Sequence, residues 1–190
     1  MDLDELVVRI NIETGRLEPY TRKIVRRLSD MKDFYYDKEA VQRILAKEDP
    51  IIYEVYAWER STDEGNLSFA TTILNPGKIG DEYYMTKGHF HSKRDRAEVY
   101  ITLSGNGKIV IQDEDGDASV LDLVPNSIIY VPPRHAHRTV NIGNKPLIFI
   151  AIYPSDAGHD YDVIAQKGFS KIIVERDGKP TVIDNPNYLN

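Results

Sequence analysis

The pattern of apolar and polar positions changes character near residue 51. Before it the chain is mixed, except for DKEAVQRILAKED (37–49). There Val41, Ile44 and Leu45 fall on one face at helical spacing, with Asp37 placed to cap the start. From Ile51 onward short runs rich in β-branched and aromatic residues take over: IIYEVYAW, LSFATTIL, AEVYITL, GKIVIQ, SVLDLV, SIIYVP, HRTVNI and PLIFIAIY. Turn residues separate them, at Pro76-Gly77, Ser104 to Gly107, Asp115-Gly116, Pro132-Pro133 and Gly143-Asn144. Closely spaced strands without long helices between them predict an all-β sandwich or barrel. Near the end, KIIVERDGKPTVIDNP reads as a hairpin turning at Asp177-Gly178. No repeat or linker breaks the chain. The expectation is one domain over 1–190, with an N-terminal extension (1–50) carrying a short helix, a barrel core (51–165) and a C-terminal hairpin (166–190).

Composition narrows the class. Of 190 residues 41% are hydrophobic and 28% charged, which suits a globular chain with a substantial core. No apolar run reaches the roughly 20 residues of a membrane helix. The opening MDLDELVVRI lacks the basic start and apolar core of a secretory leader, so a cytoplasmic location is expected. The net charge of −6 argues against a nucleic-acid partner. The one basic run, Arg22 to Arg27, reads as a solvated face or a strand edge rather than a binding patch. There is no cysteine, so disulfides and thiolate chemistry are excluded and any metal must be held by His, Asp or Glu.

Only five histidines occur, and four form two His-x-His pairs, His89/His91 and His135/His137. Residues i and i+2 of a strand share a face, so each pair can present two imidazoles side by side. Glu98 opens the next apolar run. If SKRDR (92–96) is a turn, that strand returns beside the first pair. Neutral imidazoles suit first-row divalent ions, and a carboxylate adds charge neutralisation. Three His and one Glu leave one or two positions open on a six-coordinate ion. A lone His-x-His is ordinarily surface chemistry; two pairs plus a Glu in one barrel favour a site.

GHFHSKRDRAEVYITLSGNG resembles the first cupin motif, with six residues between Glu98 and Gly105. VPNSIIYVPPRHAHRTVN resembles the second, with Pro125, and with His137 spaced from Asn141 as that pattern asks. The resemblance implies a cupin (jelly-roll, double-stranded β-helix) barrel whose metal ligands are His89, His91, Glu98 and His137. The sequence departs from the pattern in the longer gap between His91 and Glu98, in Tyr83 where a Gly is usual, and in Ser127 after Pro125-Asn126. TTILNPGKIGDEYYMTKGHFH (71–91) and YPSDAGHDY (153–161) are similar to the archaeal cupin-type phosphoglucose isomerases, nearly along the whole chain.

That resemblance implies a homodimeric, metal-dependent isomerase of glucose 6-phosphate and fructose 6-phosphate, working in glycolysis and gluconeogenesis. It implies one divalent ion per subunit, Fe2+ foremost, with Mn2+, Ni2+, Co2+ or Zn2+ as alternatives. Thr72, Thr86, Gly88 and Tyr153 would contact the phosphate, while His159 and Tyr161 would cover the mouth and touch substrate. Glu98 would be ligand and proton carrier through an enediol(ate), with a hydride shift as the other route. Tyr100 shares Glu98's face by strand parity and is either a substrate contact or a core tyrosine. Tyr153 joins Glu98 and Tyr100 as a catalytic candidate. The direction of Lys87 is open, and His135 reads as structural. Another metal cupin enzyme, such as a dioxygenase, and a non-enzymatic sugar-binding cupin are the competing readings.

Overall fold

A computed structural model describes residues 6–188. The expectations that touch residues 1–5 and 189–190, the missing leader and the outer limits of the domain, lie outside the described residues. In chain order the elements are β1 (Arg9–Ile10), β2 (Leu17–Glu18), β3 (Arg22–Arg27), α1 (Leu28–Met31), α2 (Lys38–Leu45), β4 (Ile51–Trp58) and β5 (Leu67–Leu74). Then come β6 (Lys78–Ile79), β7 (Glu82–Tyr83), β8 (Glu98–Ser104), β9 (Gly107–Gln112), β10 (Ala118–Leu123), β11 (Ile128–Val131), β12 (Ala136–Asn141) and β13 (Leu147–Pro154). The chain closes with α3 (Asp162–Lys167), β14 (Lys171–Arg176) and β15 (Lys179–Asp184). All eight strand runs read from the sequence are strands, and the all-β class stands.

A six-stranded sheet in the order β11-β8-β13-β5-β4-β3 forms one wall. The facing wall is β10-β9-β12, extended by residues 84–90, which lie beside β12 through bridges Met85↔Val140 and His89↔His137. Inward positions of the two walls meet in a core that includes Ile109, Leu123, Leu147 and Phe149. A third sheet, β15-β14-β7-β6, carries the C-terminal hairpin, with Asp177 and Gly178 both at positive φ in its turn. Asp37 caps α2 as read, its Oδ1 accepting from Ala40 N at 2.8 Å.

Two features go beyond the sequence reading. The N-terminal segment does not merely pack outside the barrel, because β3 pairs with β4 and forms the edge of the main sheet. Every residue of β12 is buried, since one face looks into the barrel and the other is covered. Arg138, on that strand, lies 4.5 Å from the ring centre of Phe169. The motif glycine at 105 has a steric cause. It sits at φ +83°, and a Cβ there would come within 2.6 Å of the Pro146 carbonyl oxygen.

Candidate metal centre and active site

Glu98 is the first residue of β8 and is 4% exposed at the floor of a cavity between the two walls. His137 comes from β12 and His89 from the segment bridged to it, with His137 N donating to His89 O at 3.1 Å. His91, two positions on, has its Nε2 3.0 Å from Glu98 Oε2. His137 Nε2 stands 2.9 Å from the same oxygen, out of line for a hydrogen bond. One ligand atom from each of His89, His91, Glu98 and His137 lies within 4.8 Å of the others. The strand after SKRDR does not return beside the His89–His91 segment. β8 pairs with β11 and β13 on the opposite wall, so the carboxylate and the imidazoles meet across the barrel.

The donor chemistry fits a divalent cation. Nε2 of His89 and both ring nitrogens of His137 are buried without hydrogen-bond partners. Such orphaned groups are costly unless something takes their lone pairs. The spacing suits groups sharing one ion at about 2.0–2.2 Å. His91 has its other nitrogen 2.9 Å from the Arg96 carbonyl, an outer partner that orients a ligating imidazole. Burial opposes ionisation of Glu98, but His137 and His91 outweigh it and hold the carboxyl well below its ordinary range. Burial, then His137, keeps His89 far below the ordinary imidazole value, so it is a neutral donor. His91 is raised instead, because Glu98 overcomes its burial.

The cavity above this floor is half-enclosed between the two walls. Thr72, Thr86, Gly88, Tyr100, Tyr153, His159 and Tyr161, all read from the sequence, line it. They divide between two ends. Phe149 pairs with Thr72 and Tyr153 with Ser68, so Tyr153 and Thr72 are four strand positions apart, roughly 13 Å by strand rise. At the far end Thr86 Oγ1 accepts from Thr139 N at 3.0 Å, and Gly88 sits at φ +71°. A Cβ at Gly88 would come within 2.6 Å of Phe169 and 2.9 Å of the His137 carbonyl oxygen, so only Gly fits. Tyr153, expected beside the phosphate threonines, lies instead at the metal end, its hydroxyl donating to Glu59 Oε1 at 2.9 Å. His159 is exposed at the mouth, its ring 4.5 Å from that of His89 and stacked on Tyr161.

Tyr100 satisfies both of its readings. It is 6% exposed, packs against Phe149 and His137, and also faces the cavity. Burial, then Glu98, pushes its phenol well above the ordinary value, so it is a proton donor at neutral pH. Lys87 borders the cavity, with its ammonium 5.2 Å over the Phe34 ring. His135 sits away from the cluster, its Nδ1 2.8 Å from the Pro133 carbonyl. Asn141 holds the second motif's corner, donating to the Leu74 and Lys145 carbonyls. Sequence reasoning missed Arg22, Arg26 and Glu59, which also line or brace the site. The available signal was the alternation in RKIVRR, whose even-numbered positions share one face.

Comparison with known proteins agrees with this geometry. The sequence profile of the family described as glucose-6-phosphate isomerase (GPI) matches residues 25–189. A glucose-6-phosphate isomerase of Pyrococcus horikoshii is 53% identical over 187 residues, covering 98% of each chain. One of Thermococcus litoralis is 55% identical over 181 residues, covering 95% of each. A solved structure concerned with the mechanism of oxalate oxidase superposes with a TM-score of 0.50 at 13% identity, covering 62% of this chain and 58% of that one, a likeness of fold alone. Among the described residues no helix is long and apolar enough to cross a membrane. With a profile match over most of its length and relatives more than half identical end to end, the chain belongs to the glucose-6-phosphate isomerase family.

Proposed function

We propose that this chain interconverts glucose 6-phosphate and fructose 6-phosphate, as a metal-dependent aldose–ketose isomerase of glycolysis and gluconeogenesis. The observation that carries the reading is the pairing of a buried three-imidazole, one-carboxylate cluster with a separate hydroxyl-lined end of the same cavity. Oxygenase chemistry on a small acid has no use for that second end. Family membership supports the choice of substrate.

His89, His91, Glu98 and His137 would hold the ion, iron(II) in our reading. When bound, it supplies Lewis acidity to a sugar oxygen. The remaining chemistry belongs to the chain. Thr72, Thr86 and the Gly88 backbone take the phosphate, which sets C1 and C2 over the floor. Both imidazole contacts to Glu98 fall on Oε2, leaving Oε1 to carry the proton between C2 and C1. Tyr100, kept protonated, donates to the sugar oxygens as negative charge develops in the enediolate, while the Tyr153 phenol, its proton given to Glu59, accepts from a sugar hydroxyl. Glu59 fixes the Tyr153 phenol. His159 and Tyr161 cover the mouth and exclude water. We read the chain as a cytoplasmic homodimer and as one domain with the limits given above. The pairing of β3 with β4 supports a single unit.

The test is fructose 6-phosphate turnover by protein stripped with chelator and then reloaded, beside His137→Ala. Activity should vanish with the ion, return with iron(II) or another divalent ion, and be absent from the variant. Full activity in metal-free protein would sink the proposal. A run in D2O separates the two routes, since proton transfer exchanges deuterium into the product and a hydride shift does not.

A further inference from the structure

The basic run of β3 is the one sequence motif that the isomerase reading leaves unused. Strand parity divides it. Lys23 turns outward to Glu54 at 2.6 Å, and Arg27 donates to the Asp49 carbonyl at 2.8 Å. Arg22 and Arg26 turn into the cavity. Their situations differ. Arg22 is neutralised by Glu59, 2.8 Å away. Arg26 has no carboxylate in ion-pair range among the described residues.

Register places Arg26 at one end of the site. It pairs with Tyr53 across β3 and β4, one inward position beyond the Val55–Thr72 pair. Lys87 lines the same cavity between Thr86 and Gly88. Its ammonium lies 5.2 Å over the Phe34 ring, and Asp30 and Asp33 influence it without forming an ion pair. Two cationic residues thus border one half-enclosed space. The cavity's own carboxylates are engaged elsewhere, Glu98 by imidazoles and Glu59 by Arg22 and Tyr153. Positive charge beside the Thr72 and Thr86 hydroxyls, with no carboxylate of the described residues left in the cavity to neutralise Arg26, favours an anion there.

We infer that Arg26, with Lys87, is the charge-selective element of this cavity: the pair receives the phosphate dianion and makes the site choose phosphorylated over free sugars. The inference rests on the isomerase reading for the identity of the sugar. It goes beyond that reading in assigning the selection to two cations rather than to the hydroxyls and the Gly88 backbone. Hydroxyls and N–H groups bind a phosphate once it is present, but they discriminate weakly against a neutral hydroxyl in its place.

The experiment compares metal-loaded wild type with Arg26→Ala and Arg26→Lys, titrated calorimetrically with glucitol 6-phosphate, an unreactive analogue without a carbonyl. Free glucitol is the uncharged control. Loss of Arg26 should weaken glucitol 6-phosphate on the order of 10- to 100-fold, the usual worth of a charge-assisted hydrogen bond. Lysine should recover part of the loss, and glucitol should be unmoved. KM for fructose 6-phosphate should rise by the same factor with kcat changed less than about threefold, the pattern of lost ground-state binding. Added salt should weaken wild type more steeply than Arg26→Ala. Unchanged affinity in Arg26→Ala, or equal loss for both ligands, would overturn the inference. Wild type that binds glucitol 6-phosphate through Arg26 but turns over no fructose 6-phosphate would leave the cation pair standing and overturn the isomerase reading.

Discussion

Two carboxylates in this protein are almost equally hidden, Glu98 at 4% exposure and Glu82 at 1%, yet they are driven in opposite directions. Glu98 sits on the cavity floor among imidazoles and is held well below its ordinary value. Glu82 sits on β7, behind the cavity wall. Burial pushes it up to about 7, against the Tyr36 backbone N–H and the more distant charge of Arg138. Its Oε2 accepts from Tyr36 N at 3.0 Å, while its Oε1 has no partner. Desolvation raises both groups; the number and charge of the donors aimed at each decides the outcome. One carboxylate is set up to stay an anion and share a cation. The other behaves as a buried acid that ties the N-terminal segment to the barrel.

The sharpest way to break this comparison is to remove each charge in turn while keeping the shape. Glu98→Gln should lower kcat/KM by on the order of 10³-fold or more, with loss of bound metal. Steady-state rates and metal content measured on the same samples check it. Glu82→Gln should leave turnover nearly intact and act on stability instead. The folded state keeps the Glu82 proton up to about pH 7, whereas the unfolded chain releases it near 4.5. Its contribution is therefore full below the unfolded value and lost as pH rises through about 7. Wild type should lose roughly 2–3 kcal/mol more than Glu82→Gln between pH 4.5 and 8. Chemical unfolding at both pH values measures the difference, and parallel pH profiles would refute the assignment.

A third change has a smaller effect and tests the segment that carries Tyr36. Asp37→Ala removes the cap of α2 and should cost about 1 kcal/mol. It should leave kcat/KM within about twofold, because no group on the cavity floor depends on it. A larger loss of activity would mean that Glu82's neighbourhood and the metal floor are coupled rather than separate.

Much of the floor was legible in the sequence and much of the wall was not. Glu98 and the histidines could be read because ligand chemistry restricts residue type and a strand restricts spacing. His137 could be chosen over His135 because its spacing to Asn141 matches the second cupin motif. The crossing between His91 and Glu98 could not be read, since local pattern says which face a residue takes but not which sheet its strand joins. Arg26 was hidden for a related reason. A basic strand at a sheet edge has the same composition whether its partner is water or a ligand. Glu59 gave no signal, because its role depends on Tyr153, 94 positions later in the chain.

The bridge between His89 and His137 has a consequence for how the protein reaches its native state. Residues 48 positions apart must be paired, and the two walls closed on each other, before all four donors converge. Before that closure each His-x-His pair offers only a two-imidazole chelate. Tight metal capture is then a late event, timed by long-range closure rather than by local structure. In a refolding experiment the ion would serve as a clock, its uptake marking the moment at which the barrel is complete.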